Sequence, residues 1–289
     1  MDYRDRKGNL IKNATGQDKF LHFVYSNIPG RALMGLLSRP FVSRAAGSFM
    51  DAWPSTFLIG SFIRKNHIRM SDYERKRYRS FNEFFTRRLK AGKRPVDQEP
   101  SHLIAPCDSL VTVYPVDLHT KLRIKHSCYT VASLLQDEKL AAEYAGGYCV
   151  VLRMTVEHYH RYCYVDDAKK GRNHFIRGSL HTVNPAVLEH IRIYKENSRS
   201  WCTLETRNFG KIVQVEVGAM LVGRINNYHR EALVRRGQEK GRFEYGGSTV
   251  VLLLKRDEAA IDDDIMRNSA EGLETSVRMG EKIGRALFS

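Results

Sequence analysis

Four short runs, at 110–114, 148–154, 212–217 and 249–254, constrain this chain most. Each is rich in Val, Leu, Ile or aromatic residues, and turn-forming residues separate them. Runs of this length and composition read as β-strands. Upstream the pattern is different. Phe20, Phe23 and Val24, then Leu33, Leu36 and Leu37, and then Phe57, Leu58, Phe62 and Ile63 recur at helical spacings of three and four. Pro29-Gly30 interrupts the first two stripes. Ser80 is placed to cap a short helix carrying Phe81, Phe84 and Phe85, which Arg94-Pro95 closes off. Residues 1–16 read as an arm or edge hairpin, and weak helical patterns return at 131–144 and near the C-terminus. The expected class is α+β: N-terminal helices followed by a mainly antiparallel β body, divided as 1–95 and 96–289. There is no internal repeat or low-complexity tract.

Charge separates the same two regions. The 289-residue chain has a formal charge of +15. Residues 1–100 hold 20 Lys/Arg against 9 Asp/Glu, whereas 248–289 hold 6 against 8. A basic N-terminal region implies an anionic partner, and near an anionic bilayer each basic residue contributes on the order of 1 kcal/mol. A merely soluble basic surface fits the same count. The apolar stripes fit packing on the protein's own core or shallow insertion into lipid, and the Phe81/Phe84/Phe85 group reads as core. No apolar run approaches the roughly 18–20 residues of a spanning helix, and no signal-peptide core is visible. The five cysteines, Cys107, Cys128, Cys149, Cys163 and Cys202, form no CxxC pair. A disulfide framework or zinc site is not expected, which fits a reducing compartment.

The segment 236–255, RGQEKGRFEYGGSTVVLLLK, carries the chemistry. Two glycines before Ser248 give the backbone conformations that a Cβ resists. That freedom can bring the Ser248 hydroxyl against the Gly247 carbonyl. An N→O acyl shift needs this contact, a base and a group to stabilise the oxyanion. Elimination from the resulting ester would leave a new N-terminus that hydrolyses to a pyruvoyl group. A tight hairpin turn is the plainer reading of the same four residues.

Five ordered segments decide between these readings. SFNEFFTRRLKAGKRP (80–95), APCDSLVTVY (105–114), EHYHRYC (157–163), VEVGAMLVGRI (215–225) and GQEKGRFEYGGST (237–249) together resemble the phosphatidylserine decarboxylase family, in its bacterial branch with a Gly-Gly-Ser-Thr cleavage motif. The resemblance implies a proenzyme cut between Gly247 and Ser248, giving a β chain 1–247 and an α chain 248–289. Ser248 then becomes the pyruvoyl cofactor, with no metal. The implied substrate is phosphatidylserine and the implied product phosphatidylethanolamine, at the cytoplasmic side of the cell membrane with the protein bound peripherally. A homodimer is implied and nucleic acid is not. Rival readings are a pyruvoyl enzyme acting on a soluble amino acid, and a non-catalytic lipid-binding relative.

The resemblance also implies an Asp-His-Ser relay. Asp108 and Ser248 match two of its members. His160 matches the first His of Tyr-His-Arg-x-His, tied to decarboxylation. The second His, the relay base, is replaced by Cys163. A thiol works as a base only as thiolate. His160 or His181 is therefore the expected substitute, and His158, without a counterpart in the motif, reads as structural.

Overall fold

The computed structural model describes residues 2–12, 47–117, 119–124, 127–178, 197–218, 224–245 and 248–287. The early stripes at Phe20–Leu37, together with His181 and Gly247, lie outside the described residues. Eleven strands of the described chain join in one sheet. They are β1 (Tyr3–Arg4), β2 (Leu10–Ile11), β3 (Ser109–Pro115), β4 (Tyr148–Met154), β5 (Ala168–Lys170), β6 (His174–Ile176), β7 (Arg199–Thr206), β8 (Lys211–Val217), β9 (Ala232–Val234), β10 (Ser248–Leu254) and β11 (Glu274–Val277). Their order is β9-β5-β7-β8-β10-β4-β3-β11-β1-β2, with β6 also on β7. Every pairing is antiparallel except β1 with β11. The four runs read as strands are β3, β4, β8 and β10, the centre of this sheet. Sequence patterning did not single out β7.

The central strands are apolar on both faces because each face has its own core. Along β10, Val250, Leu252 and Leu254 join one cluster with Val111, Leu152, Tyr162 and Phe243. Val251 and Leu253 join another with Val213, Leu134 and Trp201. The period-two geometry of a strand produces this division. Two short helices, Val131–Leu135 and Glu138–Ala142, contribute to the second face. The arm does form a hairpin, with Tyr3 opposite Ile11.

N-terminal elements form a third cluster. Ser80 accepts from Glu83 N–H at 3.1 Å, so the expected cap starts the helix Phe81–Phe85. Phe81, Phe84 and Phe85 are buried against Phe62, Tyr73, Tyr159 and Tyr245. The group is core, as its spacing suggested. The helix Phe57–Lys65 supplies Phe62 to it.

Candidate active site

Sheet register gathers the reactive residues. Ser248 starts β10 opposite Met154, the end of β4; Leu110 faces Arg153, which sets Ser109 beside Met154, and Ser109 faces Val277. One row therefore crosses four strands at one end of the sheet. Asp108 and Thr155 each lie one residue beyond it. Ser248 is 1% exposed and His160 is equally buried.

His160 Nδ1 lies 3.2 Å from Ser248 Oγ, and His160 Nε2 lies 3.1 Å from the Thr155 carbonyl oxygen. A carbonyl only accepts, so Nε2 carries the proton. In the neutral ring Nδ1 then presents a lone pair to the Ser248 hydroxyl. Phe85 stacks on the imidazole with ring centroids 4.0 Å apart. This explains a structural use of the aromatic helix at 81–85.

The segment 155–158 is itself tied down. His158 N–H donates to Thr155 O at 3.0 Å, closing a turn. In return Thr155 N–H donates to His158 Nδ1 at 3.0 Å, and Thr155 Oγ1 lies 3.1 Å from the same nitrogen. Arg87, stacked on Tyr73, donates to the carbonyls of Glu157 and His158 at 3.2 and 3.4 Å. Arg161 donates twice to Thr86 O, at 3.0 and 2.7 Å. The residues after the aromatic helix thus clamp the segment that carries both imidazoles.

Asp108 occupies the same end of the sheet in a different partnership. Its carboxylate accepts two bonds from Arg94, at 2.7 and 2.5 Å, and one from Met279 N–H at 2.9 Å. The carbonyl of Thr155, instead of a carboxylate, meets the far nitrogen of His160. Cys163 lies in the buried strand Arg161–Cys163, and burial pushes its thiol up to about 12. It stays a neutral thiol at physiological pH and supplies no base. Among the described residues no cluster of His, Cys, Asp or Glu has the makings of a metal site. A cavity of about 490 Å³ is lined by Arg79, Arg87, Arg161, Arg242, Asp51 and Glu244 among others. Its lining includes neither Ser248 nor His160, and its charges are mixed in sign.

The profile of the family described as phosphatidylserine decarboxylase matches residues 81–285. The chain is 47% identical to phosphatidylserine decarboxylase proenzyme 2 of Clostridium acetobutylicum, over 91% of each chain. It is 36% identical to the phosphatidylserine decarboxylase proenzyme of Clostridium botulinum strain Alaska E43, covering 96% of this chain and 95% of that one. The corresponding Clostridium tetani proenzyme is 35% identical, over 99% and 98%.

This chain belongs to the phosphatidylserine decarboxylase family.

The register of β10 ties the chain from Ser248 onward into the sheet. β10 pairs with β4 from Ser248↔Met154 to Leu254↔Tyr148, and with β8 from Thr249↔Val217 to Leu253↔Val213. All of its side chains are buried. At roughly 1.5–3 kcal/mol per buried apolar side chain, Val250 through Leu254 contribute on the order of 10 kcal/mol. This burial and pairing anchor the segment that begins at Ser248 in the sheet.

Four contributors to the site were not singled out as such from the sequence: Thr155, His158, Phe85 and Arg87. Phe85 and Arg87 lie in a segment whose resemblance to the family was visible. Thr155 meets His160 through its carbonyl, and a peptide group leaves no side-chain signal. His158 stands two residues from His160 but closes a turn on Thr155, a placement that a short motif does not reveal.

Proposed function

We propose that the chain cleaves itself between Gly247 and Ser248 and, as the paired fragments 1–247 and 248–289, decarboxylates phosphatidylserine to phosphatidylethanolamine. The observation that carries this reading is His160 Nδ1 at 3.2 Å from Ser248 Oγ, with its other nitrogen held by Thr155 O. His160 accepts the hydroxyl proton as Ser248 Oγ bonds to the Gly247 carbonyl carbon. The peptide C–N bond breaks, the nitrogen takes a proton, and an ester remains. Loss of the Ser248 Cα proton then expels residue 247 as a carboxylate by breaking the Oγ–Cβ bond. Hydrolysis of the new N-terminus releases ammonia and leaves a pyruvoyl group.

The site fits that group, because the precursor hydroxyl is buried and held at the first residue of a strand paired on both sides. Once formed, a pyruvoyl group supplies the electron sink for the pair released as CO2 leaves. His160, which cannot pass its proton to a peptide carbonyl, is positioned to return one to carbon. Burial excludes bulk water from the pair and strengthens these interactions. Asp108, fixed by Arg94 and Met279 N–H, is assigned to the self-cleavage site as its carboxylate.

The membrane reading has its own support. Phe49, Trp53, Phe57 and Leu58 are all exposed, Trp53 at 68% and Phe57 at 76%. Arg64 and Lys65 close the helix Phe57–Lys65. An apolar patch flanked by cations suits an anionic bilayer surface. No helix among the described residues is long and apolar enough to cross a membrane. On that patch region 1–95 is assigned to peripheral membrane docking, with the cytoplasmic side taken from the family resemblance, and 96–289 to catalysis.

Denaturing mass spectrometry of purified full-length chain, followed by incubation with phosphatidylserine vesicles or free serine, tests this reading. Fragments 1–247 and 248–289, a pyruvoyl mass at residue 248 and CO2 release from the vesicles are expected; Ser248→Ala stays one chain and releases none. An intact wild-type chain with ordinary Ser248 overturns it. CO2 release from free serine alone replaces the lipid substrate with a soluble one, and failure of the protein to float with the vesicles removes the membrane assignment.

A further inference from the structure

Thr155 serves two imidazoles at once. Its N–H donates to His158 Nδ1 at 3.0 Å, and its carbonyl accepts from His160 Nε2 at 3.1 Å. The same carbonyl accepts His158 N–H at 3.0 Å. The His158 side chain therefore reaches back three residues to close the turn, as the third residue of a helical capping box does. A ring nitrogen that accepts a bond is unprotonated, so neutral His158 carries its proton on Nε2.

We propose that His158 is a positioning residue for self-cleavage: it holds the Thr155 peptide so that the Thr155 carbonyl fixes the ring and tautomer of His160 facing Ser248. This role rests on the reading that Ser248 is the self-cleaving nucleophile. In serine-based triads a carboxylate orients the base and selects its tautomer. Here Asp108 is committed to Arg94 and Met279 N–H. A turn locked by His158 does that orienting.

The arrangement works only while His158 is neutral. A proton on Nδ1 turns it from acceptor to donor: it sets the ring against Thr155 N–H and leaves only Thr155 Oγ1, at 3.1 Å, to accept, so the bond that holds the Thr155 peptide is lost. Asp108 and Glu157 favour the charged ring; Arg153 and Arg94 oppose it, and burial, the largest influence, holds its pKa below the ordinary value. Asn at this position places its Oδ1 close to where His Nδ1 sits and accepts without titrating. Phe fills the space and accepts nothing.

Self-cleavage of the full-length chain is timed for wild type, His158→Asn and His158→Phe across about pH 5–8, with folding checked by near-UV circular dichroism. His158→Phe is expected to slow cleavage by about 10- to 100-fold. His158→Asn is expected to stay within about threefold of wild type near pH 7.5 and to lose less rate than wild type at the acid end. Wild-type rate in His158→Phe, or an equal slowing in a folded His158→Asn, overturns the proposal.

A second measurement covers a His158→Phe chain that does not fold. In the uncleaved Ser248→Ala chain, 15N histidine spectra should show both rings with the proton on Nε2, and acidification through the His158 midpoint should scramble the His160 tautomer. A His158 ring protonated on Nδ1 near neutral pH overturns the proposal. If wild type does not cleave at all, the self-cleavage reading itself fails, which these variants do not mimic.

Discussion

Two buried polar clusters flank β10, and they are built on different plans. On the β8 side Glu216 and Lys240, both fully buried, form an ion pair at 2.5 Å. Asn227 donates to Glu216 at 3.0 Å and accepts from Lys240 at 3.3 Å and from Tyr162 OH at 3.0 Å. Opposite charges cancel and the remaining polar atoms find side-chain partners. On the β4 side the two imidazoles are anchored by the peptide groups of Thr155, and Ser248 Oγ meets the ring of His160. A closed network of side chains holds its protons in place. A chain that runs hydroxyl, imidazole, carbonyl has one group that can change protonation state, because the peptide at its end cannot. In the proposed self-cleavage the proton taken from Ser248 would therefore stay on His160, ready for the departing nitrogen.

The largest effect that can break this contrast is a rate. His160→Ala removes the one titrating member of the chain, and self-cleavage is expected to fall by about 10²- to 10⁴-fold. Gel densitometry of freshly refolded protein over hours to days measures it. His181→Ala, timed beside it, addresses the other imidazole that sequence reasoning offered as base. Wild-type speed in His160→Ala together with loss in His181→Ala would move the base away from the Ser248–His160 contact.

A smaller effect is expected on the other side of β10, and in stability. Glu216→Gln leaves Lys240 with an uncompensated buried charge, which costs about 3–5 kcal/mol. Urea unfolding of the Ser248→Ala chain, which remains a single polypeptide, measures the loss. Lys240→Met combined with Glu216→Leu should recover most of it, since well-packed apolar replacements of buried pairs are often neutral or better. Self-cleavage per folded molecule in Glu216→Gln should match the wild type. A cleavage defect that survives correction for the folded fraction would mean the two clusters communicate through β10.

How each region could be read from the sequence depends on the same division. β3, β4, β8 and β10 were legible because their apolar runs answer to cores on both faces, which leaves a continuous pattern. Ser80 as a cap and the Phe81/Phe84/Phe85 face were legible because capping and helical spacing are local. Arg199 was not: it is fully buried, and donates to the carbonyls of Leu134 and Ser133 at the end of the helix Val131–Leu135. That partnership joins positions far apart in sequence. At the site, side chains with chemistry of their own, Ser248 and His160, stood out. Thr155 contributes mainly its backbone, with Oγ1 beside His158 Nδ1, and His158 matters through that backbone, so neither carried a pattern to read. Asp108 was singled out, but its pairing with Arg94 depends on how the loop after the aromatic helix folds back.

The smallest expected effect tests the residue that made the base uncertain. Cys163 follows the His160 strand segment, and its backbone N–H donates to Pro106 O at 2.8 Å. With its thiol pushed up to about 12 by burial, the thiolate fraction near pH 7 is on the order of 10⁻⁵, too small to drive cleavage as the resident base. Cys163→Ala should therefore leave the self-cleavage rate within about twofold, while the lost sulfur lowers stability by roughly 1 kcal/mol through a small cavity. Stopped time courses at about pH 7 and 9 check the rate, and urea unfolding of the same substitution in the Ser248→Ala chain checks the stability. A rate that rises with pH in the wild type and is flat in Cys163→Ala would assign the base to sulfur, and would turn the Thr155-bound imidazole from the centre of the site into its support.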